Sequence, residues 1–79
     1  MIRAYVLVQA EPGKGPGVTQ QIVRIAGVVS ADDIAGPYDV MARGDAADLD
    51  ELARLIVAKI QDVEGLTRTL TCPVVVLES

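Results

Sequence analysis

The stretch IAGVVSADDIAGPYDVMARG, residues 25–44, decides how this chain folds. Gly27 suits the left-handed C-cap that stops a helix, so a helix is expected to end just before it. Residues 28–35 then read as a strand. Asp32 and Asp33 are poor strand formers and belong at an edge or a bulge, where carboxylates stay wet and discourage stray pairing. Gly36-Pro37 turns the chain, and residues 38–44 (YDVMARG) read as the returning strand. Tyr38, Val40 and Ala42 alternate with Asp39, Met41 and Arg43. The unit is helix, glycine stop, strand, tight turn, strand.

Working outward, residues 2–10 (IRAYVLVQA) alternate as a strand with Ile2, Ala4, Val6 and Val8 on one face. Its other face (Arg3, Tyr5, Leu7, Gln9) is only semi-polar, as fits a sheet whose open side meets another subunit. The loop EPGKGPG, residues 11–17, leads to a helix over 17–26 carrying Val18, Ile22, Ile25 and Ala26. Pro16 sits near the first helical position, where a missing N–H costs nothing. Downstream, Asp48 and Glu51 form a capping-box-like pair that opens a second helix. Its expected inner stripe is Leu49, Leu52, Ala53, Ile56 and Ile60. Gly65 ends it, and residues 66–77 (LTRTLTCPVVVL) read as a last strand, with Pro73 requiring an edge position or a bulge.

The order β-α-β-β-α-β repeats, because Ile25-Ala26-Gly27-Val28 recurs loosely as Val63-Glu64-Gly65-Leu66. This is the split βαβ, ferredoxin-like arrangement. Right-handed crossovers place both helices on one face of a four-stranded antiparallel sheet in the order 4-1-3-2. The class is α+β, and strands 2 and 4, which carry the aspartates and Pro73, fall at the edges. At 79 residues the chain, 1–79, holds one domain.

A domain this small buries only about 60% of its unfolded surface. Hydrophobic residues make up 51% of the chain and aromatics 3%. Apolar surface left over is best buried between copies, at about 25 cal/mol per Å², so a homo-oligomer is expected. The net charge is −4 and the seven basic residues are scattered singly, which argues against direct nucleic-acid contact. There is no histidine, and Cys72 is the single cysteine. A lone thiol makes no multi-cysteine metal site and reads as an apolar filler, so neither metal nor cofactor is expected. No run approaches the roughly 20 apolar residues of a spanning helix, and nothing resembles a signal peptide. A cytoplasmic protein without membrane partners is the expectation.

Chemistry narrows in the same way. The 11–17 loop lacks the GxxxxGK[ST] spacing of a phosphate loop. Paired cysteines of metal carriers, the Arg–Asn pair of small phosphate hydrolases and catalytic histidines are all missing. Carboxylate catalysis through Asp32, Asp33 and Asp39 remains formally open, but solvated edge carboxylates are the simpler reading. A binding module, not an enzyme, is expected.

Residues 22–69 as a whole resemble the C-terminal domain of Lrp/AsnC-type transcription regulators, also called the RAM domain. The resemblance is carried by Gly27-Val28, Ala35-Gly36-Pro37-Tyr38-Asp39, Asp48…Glu51-Leu52, and Gly65-Leu66 followed by Thr67, Thr69 and Thr71. It implies a domain that dimerises through its sheet, assembles into tetramers, octamers or larger rings, and binds amino-acid effectors between dimers. Regulators of this type carry an N-terminal helix-turn-helix domain, whereas this chain opens directly on strand 1. The resemblance therefore implies a stand-alone module that modulates transcription indirectly, by binding effector, by co-assembling with a full-length regulator, or by both.

An amino-acid zwitterion needs an ammonium acceptor, carboxylate donors and a side-chain pocket. The ligand-binding residues expected are Gly36, Tyr38, Asp39, Thr69 and Thr71. Asp39 would take the ammonium through a charge-assisted bond, and the backbone near Gly36 would meet the carboxylate. Thr69 and Thr71 would add hydroxyls, and Tyr38 would close the pocket. Each has a plainer reading: a tight turn at Gly36, an aspartate bonding turn N–H groups, an interface tyrosine, and threonines as β-formers. Two alternatives stand beside this one. An ACT-type amino-acid sensor would use the glycine-rich loop after strand 1, and an assembly scaffold would bind no ligand.

Overall fold

The computed structural model describes residues 1–75. The chain order is β1 (Ile2–Ala10), α1 (Gly15–Ile22), β2 (Val28–Asp33), β3 (Val40–Ala46), a second helix, and β4 (Leu66–Pro73). The second helix starts as α2 (Leu49–Glu51), passes through π-helical backbone at Leu52–Val57, and finishes as α3 (Ala58–Gln61). The four strands lie in the order β2-β3-β1-β4, and every pairing is antiparallel. Fold class and strand order are those the alternation requires.

One face of the sheet makes the core. Ala4, Val6 and Val8 of β1 and Val40, Ala42 and Ala46 of β3 are buried against Val18 and Ile22 of α1 and Leu52, Ile56 and Ile60 of the second helix. No polar side chain is buried among the described residues. Small β-branched residues line the sheet because two helices must approach it closely. At Gly44 the space a Cβ would need already holds Ile56, whose Cδ1 would lie 3.1 Å away.

The repeated glycine stops are structural equivalents. Gly27 has φ +94° and Gly65 φ +93°, a backbone region that favours glycine. Each follows a turn tightened by an i→i+3 bond, Ile25 N–H to Ile22 C=O and Val63 N–H to Ile60 C=O, both 3.0 Å. Those turns explain one difference from expectation. The first helix ends at Ile22 rather than 26, Ile25 packs half-buried from the turn, and Ala26 is exposed. Its other end begins at Gly15, with Pro16 in the first turn.

The second helix differs more. Asp48 caps it as expected, its carboxylate accepting from Glu51 N–H at 2.8 Å while Glu51 Oε1 accepts from Ala47 N–H at 2.9 Å. The inner stripe, however, is Leu52, Ile56 and Ile60, while Leu49 and Ala53 are exposed. At about 3.6 residues per turn, positions four apart drift round an α-helix. The wider i→i+5 winding of Leu52–Val57 holds residues spaced by four on one line. The inner face therefore narrows to that line.

Strand limits also shift. β2 stops at Asp33 and β3 starts at Val40, so the bend spans 34–39 and takes Tyr38 and Asp39 out of the strand. A register shift between Val28 and Ser30 places a bulge at Val29 in edge strand β2. β4 ends at Pro73, whose N faces the open edge of the sheet, so its missing N–H costs no bond to β1, and Val74 N–H still donates to Arg3 C=O at 2.8 Å; residues 76 and 77 of the expected strand lie outside the described residues.

Candidate functional site

The bend at residues 34–39 is fixed to the end of β1 by Asp39. Its N–H donates to Val8 C=O (2.9 Å), its C=O accepts from Ile34 N–H (2.9 Å), and its Oδ2 accepts from Ala10 N–H (2.8 Å). The carboxylate thereby satisfies a backbone donor that β1 leaves unpaired as it runs into the loop. Oδ1 has no hydrogen-bond partner among the described residues. Gly36, at φ +144°, has no atom within 4 Å of the place a Cβ would occupy, so its backbone is open to an approaching molecule. Tyr38 is half-buried beside it. The glycine-rich loop lies at the same end: Gly15 approaches Asp39, and Glu11 N–H donates to Gly65 C=O at 2.8 Å.

The two threonines sit elsewhere. Thr69 pairs with Val8 and Thr71 with Val6, so both belong to the helix-side face of β4, with β1 between them and the bend. The Thr69 hydroxyl accepts from Gln61 Nε2 at 3.3 Å. Within one copy, then, the structure groups Gly36, Tyr38 and Asp39 and leaves Thr69 and Thr71 one strand away. Asp33, read as an edge carboxylate, accepts a hydrogen bond from the Thr19 hydroxyl of α1. Among the described residues no group of His, Cys, Asp and Glu is placed to hold a metal ion.

The sheet face away from the helices is uncovered. Tyr5 lies opposite Cys72 on one side and Arg43 on the other, and Leu7 opposite Leu70 and Met41. Leu70 is 45% exposed. At one end of this face Asp45 lies between Arg3 (3.6 Å) and Arg43 (3.7 Å). Arg43 Nε and Asp45 Oδ1 are shielded from solvent without a hydrogen bond. The face thus combines an apolar centre with charged groups at one end.

A cavity of about 530 Å³ opens at the other end of the sheet from the bend, between the turn after α1 and the second helix. Ile25, Leu55 and Ile56 supply its apolar wall, and Lys59 and Glu51 stand at it. Sequence reading missed it because Leu55 lies off the helical stripe. A large apolar residue on the supposed outer face, four positions before Lys59, was the available signal.

The family model of the Lrp/AsnC ligand binding domain matches residues 3–77. The chain belongs to this family. Among Lrp/AsnC relatives, an uncharacterised HTH-type transcriptional regulator of Pyrococcus furiosus is 30% identical over 71 residues, covering 86% of this chain and 47% of the regulator. The chain thus spans about half the length of the curated relatives it matches. Among solved structures, TTHA0845 of Thermus thermophilus aligns with a TM-score of 0.90 at 26% identity, covering 100% of this chain and 99% of that one. A Neisseria meningitidis transcriptional regulator, solved in complex with L-Met, shares the fold at a TM-score of 0.78 and 13% identity, over 94% of this chain and 49% of that one. The Lrp/AsnC ligand-binding domain is thereby the fold, and transcription regulation the setting of its relatives. No helix among the described residues is long and apolar enough to cross a membrane.

Proposed function

We propose that this domain binds an amino-acid-like effector at the 34–39 bend and self-associates, so that ligand level sets assembly state without catalysis. The observation that carries the reading is the Asp39 carboxylate. One oxygen is anchored by Ala10 N–H, while the other has no hydrogen-bond partner among the described residues, in the same bend as the open position at Gly36. An anchored carboxylate is oriented in advance, so an ammonium meets it without first ordering the side chain. The bend alone is not a cavity, and a neighbouring copy closes it. Thr69 and Thr71 of that copy, rather than those of the same chain, are the hydroxyls able to complete the site. That the Neisseria regulator was solved with L-Met supports an amino acid as the ligand class.

A ligand held between copies stabilises the assembly that completes its site, by RT ln(1 + [L]/Kd) per site. Copies then join as dimers and larger rings, or mix with a full-length regulator of the family and alter transcription through it.

Differential scanning fluorimetry with the common amino acids, read beside light scattering, tests this. The expected result is a ligand-specific rise in the melting midpoint together with a change of assembly size. Asp39→Asn keeps an acceptor for Ala10 N–H but removes the charge, and is expected to stay folded and lose the ligand response. A mutant that responds like the parent chain would remove Asp39 from the site. The exposed sheet face supports a second reading, an assembly scaffold without ligand, which failure of every amino acid would favour. Ligand contact at Gly13 or Gly15 instead would point to an ACT-like use of the first loop.

A further inference from the structure

The cavity between the turn after α1 and the second helix is far from the bend. Gly27 and Asp45 lie at the β1 N-terminal end of the sheet, where Arg3 pairs with Asp45, whereas Asp39 lies at the end where β1 finishes. Its volume of about 530 Å³ falls in the roughly 300–1,000 Å³ range of small-molecule sites. The wall is aliphatic and incompletely covered: Leu55 is 46% exposed, and Ile25 is half-buried.

The polar groups around it are not equivalent. Asp45 faces Arg3 and Arg43 on the opposite side of the sheet, so its carboxylate is already engaged by cations. Glu51 Oε1 is held by Ala47 N–H as part of the helix cap. Lys59 forms no ion pair among the described residues, although Asp62 and Glu64 lie close in sequence. It sits one turn beyond Leu55 on the same helix. An aliphatic wall with a free ammonium at its edge complements an aliphatic chain that ends in a carboxylate. The wall itself is built on the π-helical run, which contains both Leu55 and Ile56. Such runs often mark functional positions because the extra residue is held by what packs on it.

The geometry points to a second ligand site here, for a small branched aliphatic carboxylate whose chain lies on Ile25, Leu55 and Ile56 and whose carboxylate meets Lys59. Branched amino acids and the corresponding 2-oxo acids share that chemistry. Glu51 Oε2 distinguishes them, since only the amino acid brings an ammonium to it. The site does not depend on the bend and stands whether or not Asp39 binds anything.

Amide NMR titration of the whole protein with leucine, 4-methyl-2-oxopentanoate and isobutylamine tests the assignment. Both carboxylates are expected to shift the amides of Gly27, Leu55 and Lys59, and isobutylamine, which offers Lys59 no carboxylate, to shift them less than leucine does. Stronger binding of leucine than of the oxo acid identifies the amino acid as the preferred source, and the reverse order the oxo acid. Lys59→Gln, at an exposed position, is expected to keep the dispersed spectrum and weaken binding by about tenfold or more. Ala26→Phe, which places a ring in the opening, is expected to abolish the shifts. Asp39→Asn is expected to leave them unchanged, which separates this site from the bend. Carboxylates that shift only amides around Gly36, or none, overturn the proposal, as does an equal response in Lys59→Gln.

Discussion

Val6 and Leu7 are neighbours in the chain and live in different worlds. Val6 is fully buried beneath the helices, while Leu7 stands half-buried on the bare side of the same strand. On the two central strands the covered face buries Ala and Val side chains and no polar one, and the bare face of the sheet mixes Tyr5, Leu7, Met41 and Leu70 with Arg3, Arg43 and Asp45. The difference teaches that one strand carries two instructions. Its inward residues specify the fold of a single copy, and its outward residues leave apolar surface that the proposed self-association would cover.

Four substitutions bear on that division. The largest loss is expected from Ile56→Ala, since Ile56 is 2% exposed at the centre of the covered side. Emptying such a site costs about 2–5 kcal/mol, and each kcal/mol lowers the midpoint of a domain this size by about 4–8 °C. A midpoint near that of the parent chain would break the idea that this side alone holds the fold. Leu7→Asp should do the opposite. It is expected to leave a dilute sample folded, reduce light scattering to the monomer value and abolish the concentration dependence of the midpoint. Next comes Asp45→Asn, which weakens two ion pairs of 3.6 and 3.7 Å. Pairs this open are worth under about 1 kcal/mol, so the expected effect is weaker association with little change in denaturant midpoint.

Asp50→Asn is the control, on the outer side of the second helix. Asp50 pairs with Arg54 at 2.9 Å, and that hydrogen bond, with the charge itself, raises the guanidinium above its ordinary pKa. Arg54 is already fully charged at neutral pH, so neither midpoint nor assembly is expected to move.

Much of this was legible in the residues. Alternation in β1, the repeated glycine stop and the Asp48 cap gave topology, strand order and helix start, because each is a local rule with a fixed geometry. Boundaries were less legible. Ile25 has the spacing of a helical residue, yet the i→i+3 bond it donates closes a turn, and spacing cannot tell the two apart. Leu49 and Ala53 fit an α-helical stripe, but the π-helical run follows from packing against the sheet, which no window of sequence contains. At the bend, sequence found Asp39 without its partner. Ala10 N–H is 29 positions away and is brought there only by the β1–β3 pairing. Thr69 and Thr71 match the ligand by their hydroxyls alone, and β1 runs between them and the bend, as the expected strand order already requires.

Ile56 reaches into two places where the backbone has no side chain. A methyl group at Gly27 would come within 2.9 Å of its Cδ1, and one at Gly44 within 3.1 Å. Three positions from three elements thus share one fixed volume. Gly44→Ala should therefore be harmful alone and partly rescued by Ile56→Val, whose missing Cδ1 vacates the contested space. Gly27→Ala should resist the same rescue, because its φ of +94° remains costly whatever the neighbour's size. Descendants of this domain are free to trade bulk between strand and helix, but not between turn and helix.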